Sequence, residues 1–415
     1  MPLRALSERR LLFLVGAVQF VNVLDFMMVM PLGPDFAASL GIPVARLGIV
    51  GGSYTVAAAA AGLAGAFFLD RFDRRKALGL ALLGLVVGTA AGGFARGLAS
   101  MVAARLVAGF FGGPATSLAL AIVADEVPPE RRGRALGAVM GAFSVASVLG
   151  VPLGLELARR WGWRLPFFSV AAIGLAVACG TGALLPPLTR HLDGRSVEAV
   201  PRMRDLLRRS PVCLALAAVG SAFMASFVVI PNFSAYLQFN CGFPRGKLGQ
   251  LYLAGGAVTF FTMRVTGALV DRHGAPRVAA AATVLHLGVL ALLGFVLPGA
   301  PVPLVYVGFI GFMLANSTRN VSAGALTSRV PSSVERARYM SLQSATQHLA
   351  ASAGALLSSA LLRSEGGLLV GMERATGLAM LLALLQPILL YRLAPLLARG
   401  GHGSQVERRA EAGAP

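Results

Sequence analysis

Charged residues are scarce in this chain, and acidic residues are the scarcest of them. Only 13% of its 415 residues are charged, with 18 Asp and Glu against 37 Lys and Arg, whereas 56% are hydrophobic and the mean hydropathy is +0.72. An ordinary soluble domain carries about 25% charged residues. The composition therefore excludes a soluble globule and predicts an integral membrane protein.

Cysteine is also rare, and its placement excludes two further classes of protein. Cys179, Cys213 and Cys241 lie scattered in or beside apolar runs, without the spacing of paired metal ligands. They predict neither a disulfide framework nor a metal site, and we expect no cofactor. The sequence also lacks a Walker loop, a His-Glu-x-x-His pair and a nucleophile elbow, so we expect neither an ATP-driven pump nor an enzyme.

Long apolar runs dominate what is present. Twelve of them approach the ~20 residues that cross ~30 Å of hydrocarbon. They cover residues 11–32, 47–69, 77–95, 99–123, 135–157, 165–186, 211–237, 248–270, 277–297, 303–326, 337–362 and 370–394. The pattern predicts an all-α membrane protein in which two six-helix bundles, 1–186 and 211–395, are joined by a linker at 187–210 and followed by a tail at 396–415.

The excess of basic residues indicates membrane topology. With both termini inside, roughly 25 Lys and Arg fall in inner segments, against roughly 9 in outer segments and 3 within spans. No basic patch alternates with base-stacking aromatic residues, so we expect no nucleic-acid partner. We expect a multi-pass protein of the plasma (inner) membrane with both termini cytoplasmic.

The two halves resemble each other at an offset near 200 residues, which predicts that the bundles are pseudo-symmetric. Such duplication is typical of transporters whose halves rock about a central site. The recurring pairs are Val29-Met30-Pro31 with Val229-Ile230-Pro231, Asp70-Arg71 with Asp271-Arg272, and Arg132-x-Arg134 with Arg336-x-Arg338.

Asp25 is the charge that most requires an explanation, because it lies inside the first apolar run. A carboxylate at this depth costs about 2.5 to 3.5 kcal/mol on insertion scales, so it is expected to face a partner or a wet cavity. Helical rise places Asp25, and also Arg105 of the fourth run, about 9 Å below the outer surface. The two charges are level and predict a pair, unless Arg105 extends outward to the membrane surface instead.

The loops after spans two and eight carry a motif of a known family. Leu69-Asp70-Arg71-x-x-Arg74-Arg75, and Gly267-x-Leu269-x-Asp271-Arg272-x-Gly274-x-x-Arg277 after it, resemble the loop motif of the major facilitator superfamily. The first copy has Ala66 and Asp73 where the family has glycine. The resemblance implies a cytoplasmic latch that holds one transport state, while the same charges also fit simple topology anchors. Its residues are Asp70, Arg71, Arg74, Asp125, Asp271 and Arg272.

Two further motifs narrow the resemblance. Arg105, followed by Gly109 and Gly112-Gly113, is similar to the arginine motif of proton-coupled members. Span five is similar to the glycine-proline motif of the twelve-helix drug:proton antiporter branch, and its Gly-Val-Pro-Leu-Gly and Gly-Trp-Arg segments resemble amphenicol and sugar efflux members. The motif residues are Gly141, Gly150, Pro152 and Gly154.

Other polar residues in the spans are candidates for a central substrate cavity. Arg264 and Arg319 lie about 6 Å from the inner ends of their helices, near enough to reach the surface, so both roles stay open. The amide and imidazole groups serve either substrate binding or helix packing. The full set is Gln19, Asn22, Arg264, Arg319, Gln343, Gln347 and His348.

These features predict a monomeric, proton-coupled secondary transporter that exports a small amphipathic compound, such as a drug, an antibiotic or a sugar-like molecule, by alternating access. Asp25 is the expected proton carrier and Arg105 its counter-charge. The in-span arginines favour a neutral or anionic substrate. Proton-coupled uptake of a nutrient is the main alternative, because gradients set direction, and a non-transporting membrane receptor or scaffold is a remote one.

Overall fold

The computed structural model of the chain describes residues 7–189, 203–332 and 335–412, leaving out the side chains of 66–68, 70, 129–130, 337 and 399–412. Residues 7–189 are called the first half here, and 203–412 the second half. Most of the predicted linker lies outside the described residues.

The first half is helical because lipid offers no hydrogen bonds, and a helix satisfies its own backbone. The first helix ends just before Pro31, where a proline cannot continue the hydrogen-bond ladder. The helices are α1 (Glu8–Val29), α2 (Gly33–Leu40), α3 (Leu47–Phe68), α4 (Arg74–Gly93), α5 (Leu98–Glu126), α6 (Pro129–Met140), α7 (Ala142–Val145), α8 (Val151–Trp161) and α9 (Arg164–Leu184), with 3-10 turns at Val44–Arg46 and Leu69–Arg71 and a π turn at Ala146–Gly150.

The second half follows the same plan and adds a small hairpin. Its two strands are joined by Gly366 and Gly367, whose φ angles of 55° and 83° suit a tight two-residue turn. The elements are α10 (Met203–Leu207), α11 (Ser210–Phe227), α12 (Ile230–Phe239), α13 (Leu248–His273), α14 (Ala275–Ala291), α15 (Val302–Thr327), α16 (Arg336–Leu361), β1 (Arg363–Glu365), β2 (Leu368–Val370) and α17 (Met372–Ala412), with a 3-10 turn at Arg245–Lys247 and a π turn at Leu292–Val296.

The helices confirm the predicted class of fold. Ten helical segments of the described ranges have the length and hydropathy of a membrane span. The other two long helices, α15 and α16, have 26 residues each and pack among them. Some predicted spans differ in detail: the seventh is broken into α11 and α12, and the fifth begins at Pro129 and contains the π turn.

The duplication inferred from the sequence is repeated in the helix breaks. The chain leaves α1 after Val29 and α11 after Phe227, and each break is followed by a proline, Pro31 or Pro231. The 3-10 turns at Val44–Arg46 and Arg245–Lys247 precede the next helix in each half. Equivalent breaks at an offset near 200 place equivalent loops at the same end of both halves.

Two faces of the bundle can be told apart. The terminal face is where α1 begins, and there Glu8 pairs with Arg131 of α6 at 3.0 Å. The distal face is where α1 ends. At that face Arg245 Nε and Nη2 donate to the Asp35 carboxylate at 2.8 and 2.5 Å, and Nη2 also donates to the Leu155 carbonyl at 3.3 Å. The two halves are therefore joined at the distal face.

Helix contacts below the distal surface extend this closure. On one side Ser352 Oγ of α16 donates to the Gly52 carbonyl of α3 at 3.1 Å. On the other, Gly256 of α13 lies against the backbone of Ser147 in the π turn. Glycine is needed at position 256, because a Cβ there would come within 2.8 Å of the Ser147 carbonyl of the opposite half, whereas a Cβ on Gly52 would make ordinary contacts at 3.5 Å. The conformation described is closed at the distal face.

Candidate transport site

Small residues bring the charged helices of the first half together. Gly109 and Gly113 of α5 lie against the backbone of Tyr54 and Ala58 in α3, where a Cβ would collide. Gly88 of α4 packs in the same way against Ala108. Helices that approach this closely leave no room for lipid or bulk water between them, so a side chain pointing inward is desolvated.

Asp25 and Arg105 meet in this desolvated region. Arg105 Nη1 donates to both oxygens of the Asp25 carboxylate, at 3.0 Å each, and Thr89 Oγ1 donates to Oδ1 at 2.8 Å. Asp25 is 0% exposed and Arg105 is 1% exposed. A buried pair is held only when its charges and hydrogen bonds are matched, so removing either partner leaves an uncompensated charge.

Tyr54 links this ion pair to a hydrogen-bond network. The Arg105 guanidinium lies 4.5 Å from the centre of the Tyr54 ring, an arrangement that attracts a cation. The Tyr54 hydroxyl donates to Asn22 Oδ1 at 2.8 Å, and Asn22 Nδ2 donates to the Gly112 carbonyl at 3.0 Å and to Thr116. Asn22, a predicted cavity residue, is thus engaged in bonding α1 to α3 and α5.

An aromatic bridge connects the halves beside the ion pair. It consists of Tyr54, Phe26, Phe227 and Phe223, in that order. The Phe26 ring lies 5.2 Å from Tyr54 and 6.0 Å from Phe227 of α11, which stacks on Phe223 at 6.4 Å. Sequence reasoning missed this bridge. The available signal was the repeat, because Phe26 and Phe227 lie just before the equivalent Val29 and Val229.

Two predicted cavity residues lie on helix faces turned toward the first half. Arg264 shares a face of α13 with Gly256, which contacts Ser147, and its exposed guanidinium lies 3.7 Å above the Phe260 ring. His348 shares a face of α16 with Ser352, which bonds to α3, and is partly buried. Helical periodicity therefore places both side chains where the halves face each other.

The three remaining predicted cavity residues are glutamines, two on α16 and one on α1. Gln343 and Gln347 are partly buried on the face of α16 that also carries Gly354, which lies against Met224 and Phe227 of α11. Gln19 is 5% exposed, and its Oε1 has no hydrogen-bond partner among the described residues.

Arg319 is placed away from the other half. It is 0% exposed, and its Nη2 donates to the Ala383 carbonyl of α17 at 3.2 Å. The structure thus separates Arg319 from Arg264, which sequence depth alone had treated alike.

The chain as a whole matches a family model described as the Major Facilitator Superfamily over residues 15–354. The chain belongs to the major facilitator superfamily. This family consists of transporters and not of enzymes, and the helical architecture described above is its fold.

Several members of the superfamily are similar to this one. A chloramphenicol resistance protein of Streptomyces lividans is 29% identical over 394 residues, or 90% of this chain and 94% of that one. The purine ribonucleoside efflux pump NepI of Escherichia coli O157:H7 is 25% identical and covers 68% of this chain and 69% of its own length. The uncharacterized transporter YtbD of Bacillus subtilis is 25% identical, and the match spans 63% of each chain.

A solved structure shares the fold. A bacterial homolog of the human lysosomal transporter Spinster, solved in an inward-facing and occupied conformation, superposes with a TM-score of 0.70 at 16% identity. The superposition covers 95% of this chain and 97% of that one.

The predicted latch of this facilitator is described only in part. Arg74 Nε donates to Asp125 Oδ2 at 2.8 Å, whereas the side chain of Asp70 lies outside the described residues and Arg71 is exposed. In the second copy, Asp271 and Arg272 are both exposed. The structure brings one predicted pair of the latch together, at the terminal face.

The loop residue that departs from the superfamily motif has a local role. Asp73 stands in place of a glycine and caps α4, because its Oδ1 accepts from the backbone N–H of Arg75 at 2.9 Å and of Leu188 at 3.0 Å. The second bond ties the start of α4 to the end of the sixth span.

The glycine-proline motif lies where α8 passes α1. A Cβ on Gly150 would meet Leu24, and one on Gly154 would lie 3.1 Å from Met28. Pro152 lies just after the π turn, within a stretch that stays helical, so its missing N–H leaves a gap in the hydrogen-bond ladder there. Gly141 precedes α7, and the π turn follows, so this span is irregular where it contacts both α1 and α13.

Proposed function

We propose that this facilitator is a proton-coupled exporter of a small amphipathic compound. The observation that carries the proposal is the buried pair of Asp25 and Arg105. A transporter that changed conformation without coupling to protons would not need an ionisable group at this depth, where charge is costly. One titratable carboxylate, fully desolvated and matched by a single cation, is suited to bind and release a proton during a conformational cycle.

The coupling follows from the cost of an unmatched charge. In the distal-closed state the Asp25 carboxylate is ionised and is held by Arg105 and Thr89. A movement that separates α1 from α5 breaks this pair and leaves a buried carboxylate unpaired, which is strongly unfavourable. A proton taken up from the outer side as the distal gate opens neutralises that charge and stabilises the distal-open state, and pairing with Arg105 releases the proton again when the protein returns to the distal-closed state. The ligand-bound and proton-bound forms then favour different states, which links the two fluxes.

We also propose that the chain is oriented with its terminal face toward the cytoplasm. With both termini cytoplasmic in the plasma membrane, the distal face is extracellular, and the described conformation is closed to the outside. The Asp35–Arg245 pair would serve as the external gate. An exporter loads its substrate from the cytoplasm or inner leaflet in this state and opens the distal gate to release it, while Asp25 takes up a proton from outside.

The residues between the halves suggest what the substrate is like. The aromatic bridge offers ring faces for stacking, and Arg264 with His348 offers hydrogen-bond donors and positive charge. A compound with an apolar ring and a neutral or anionic polar group fits this set. The names of the relatives, a chloramphenicol resistance protein and a purine ribonucleoside efflux pump, support an export role.

Accumulation in cells tests the direction of transport. Chloramphenicol and a purine ribonucleoside are suitable first probes because related proteins carry their names. We expect cells that express the chain to hold less of a transported probe than cells that lack it, and an uncoupler to abolish the difference. Greater accumulation in expressing cells that is lost with the uncoupler would establish uptake instead. Binding without flux in either direction would indicate a receptor.

A binding screen tests the charge preference. Neutral and anionic amphipathic compounds should raise the melting temperature of the purified protein, and Arg264→Gln should weaken the anions more than the neutral compounds. A screen in which only cations stabilise the protein would refute this part of the proposal.

A further inference from the structure

Arg319 of α15 is, like Arg105, a fully buried arginine, and it lies in the second half. Arg319 is hydrogen-bonded to α17. Its Nη2 donates to the Ala383 carbonyl at 3.2 Å, and Gln386 Nε2 donates to the Arg319 carbonyl at 3.2 Å. The side chain therefore points toward α17, on the side of α15 that faces away from the first half.

Unlike Arg105, Arg319 has no counter-charge among the described residues. Its Nε and Nη1 are buried without a hydrogen-bond partner among the described residues, and no carboxylate of those residues forms an ion pair with it. An arginine stays protonated in proteins. Removing a lone guanidinium from water without a partner is strongly destabilising, so this charge requires compensation.

The neighbours of Arg319 include further unpaired polar groups. His286 of α14 is 0% exposed, and neither of its ring nitrogens has a hydrogen-bond partner in the described part of the chain. Its ring lies 5.3 Å from Phe312, two turns before Arg319 on α15. Because helical side chains lean toward the N-terminus of their helix, the guanidinium extends back toward His286.

These donors share one requirement. Three N–H bonds, on Nε and Nη1 of Arg319, and the single N–H of a neutral His286 need acceptors. Gln386 Oε1 and the second nitrogen of His286 are unpartnered acceptors among the described residues and can take some of these bonds, but neither supplies a negative charge to match the guanidinium. We infer that Arg319 binds one small monovalent inorganic anion, such as chloride, in the buried region that it shares with His286 and Gln386. The burial of all three side chains excludes an organic anion.

This site is separate from the proposed transport site. The first half matches its buried arginine with Asp25, which the chain supplies, whereas the second half recruits its counter-charge from solution. The bound anion is then a structural component of the second bundle.

Thermal stability in exchanged salts tests the inference on the purified full chain. At constant ionic strength, replacing gluconate with chloride should raise the melting temperature saturably by about 2 °C or more, and bromide should act similarly. Arg319→Met should abolish this dependence. No difference between gluconate and chloride for the unaltered protein, or the same chloride dependence in Arg319→Met, would overturn the inference.

A second variant covers the case in which Arg319→Met does not fold. Gln386→Glu places a carboxylate near Arg319 with almost no change in shape, although it loses the hydrogen bond from Gln386 Nε2 to the Arg319 carbonyl. Because the carboxylate supplies the counter-charge, the stability of the variant should no longer respond to chloride. A Gln386→Glu protein that still needs chloride would contradict the assignment. Crystals grown in bromide should show anomalous density beside Arg319, and its absence there would also contradict it. None of these measurements depends on transport.

Discussion

Position 105 requires a guanidinium group, and not merely a positive charge, for geometric reasons. One nitrogen bridges both oxygens of Asp25 while the flat group stacks on the Tyr54 ring, and a lysine cannot do both. We therefore expect Arg105→Lys to keep the charge and the fold but to lower the rate of proton-driven transport by about tenfold or more. Initial rates in proteoliposomes measure this. Arg264→Lys, at an exposed stacked arginine, is the matched control and should retain proton coupling.

A second ion pair, at the terminal end of the second half, predicts a pH effect. Arg209 Nη1 donates to both oxygens of Glu335, at 2.8 and 2.7 Å, and joins the start of α11 to the start of α16. Burial raises the pKa of Glu335, but hydrogen bonds from Arg209 and Ser332 lower it by more, so the net pKa lies below its usual 4.5. A carboxyl with a lowered pKa stabilises the fold above 4.5 and loses that contribution as pH falls through the lowered pKa.

Arg209→Gln should accordingly destabilise the protein by about 1 kcal/mol at neutral pH, a modest value because the Arg209 side chain is 45% exposed. The gap in melting temperature between this variant and the unaltered protein should close in acid below 4.5. Arg277→Gln, an exposed arginine at the start of α14, controls for net charge. A gap that stays constant with pH would show that Glu335 is not the partner that matters.

At the residue scale, the depth of a residue in the membrane could be predicted from the sequence, but the direction in which its side chain points could not. Helical rise placed Asp25 and Arg105 at one level because rise per residue is constant. The rotation of each helix depends on which face is apolar, and α1 and α15 are apolar on most sides, so no stripe marks their inner face. Asn22 and Arg319 were therefore predicted with the cavity residues, while the structure engages one within the first half and buries the other behind α15.

Among the helices, glycines determine how closely the halves approach at the distal face. A Cβ on Gly48 of α3 would meet the Ala355 carbonyl of α16, whereas a Cβ on Gly62 of the same helix meets nothing within 4 Å. Gly48→Ala should wedge the contact apart at a cost of about 1 to 3 kcal/mol and increase the distal-open population. Gly62→Ala is the matched control, and it should leave the population unchanged.

Spin labels at Ser39 and Phe239, both at the distal end and in different halves, report this opening as a longer distance in a cysteine-free background. Equal distance distributions for Gly48→Ala and Gly62→Ala would show that the α3–α16 contact does not hold the distal face closed.

The ion pair of Asp35 in α2 and Arg245 affects the same equilibrium, between the distal-closed and distal-open states, through charge. Its side chains are 23% and 24% exposed, so the bond is only partly screened by water. Asp35→Asn should shift the population toward the distal-open state by about tenfold, and Asp35→Arg combined with Arg245→Asp should restore much of the closure. Glu156→Gln removes a distal carboxylate whose ion pairs, among the described residues, lie within α8, and it should have no such effect.

Proline marks the helix breaks at Pro31 and Pro231, but the predicted spans 11–32 and 211–237 ran through both of them. The π turn at Ala146–Gly150 has no such mark, because it depends on how α8 packs between α1 and α13. For the same reason the sequence predicted one uninterrupted fifth span, 135–157.

For the whole molecule, composition and repeats were sufficient for the architecture. Twelve apolar runs with a duplication at about 200 residues predict two similar bundles, and the family match confirms that fold. The closed distal face was beyond the sequence, because a transporter uses one sequence for at least two conformations of similar free energy. The aromatic bridge was missed because it forms only where the halves meet.

The central claim is that Asp25 carries the coupled proton. Its most direct test is transport in proteoliposomes with an imposed proton gradient, using a substrate identified in cells. Asp25→Asn keeps the shape but cannot ionise, so it should still exchange substrate between the two sides at equal concentrations, yet fail to drive uphill transport or to move protons with the substrate. If Asp25→Asn still accumulates substrate against its gradient at the expense of the proton gradient, another group carries the proton, and the account is wrong.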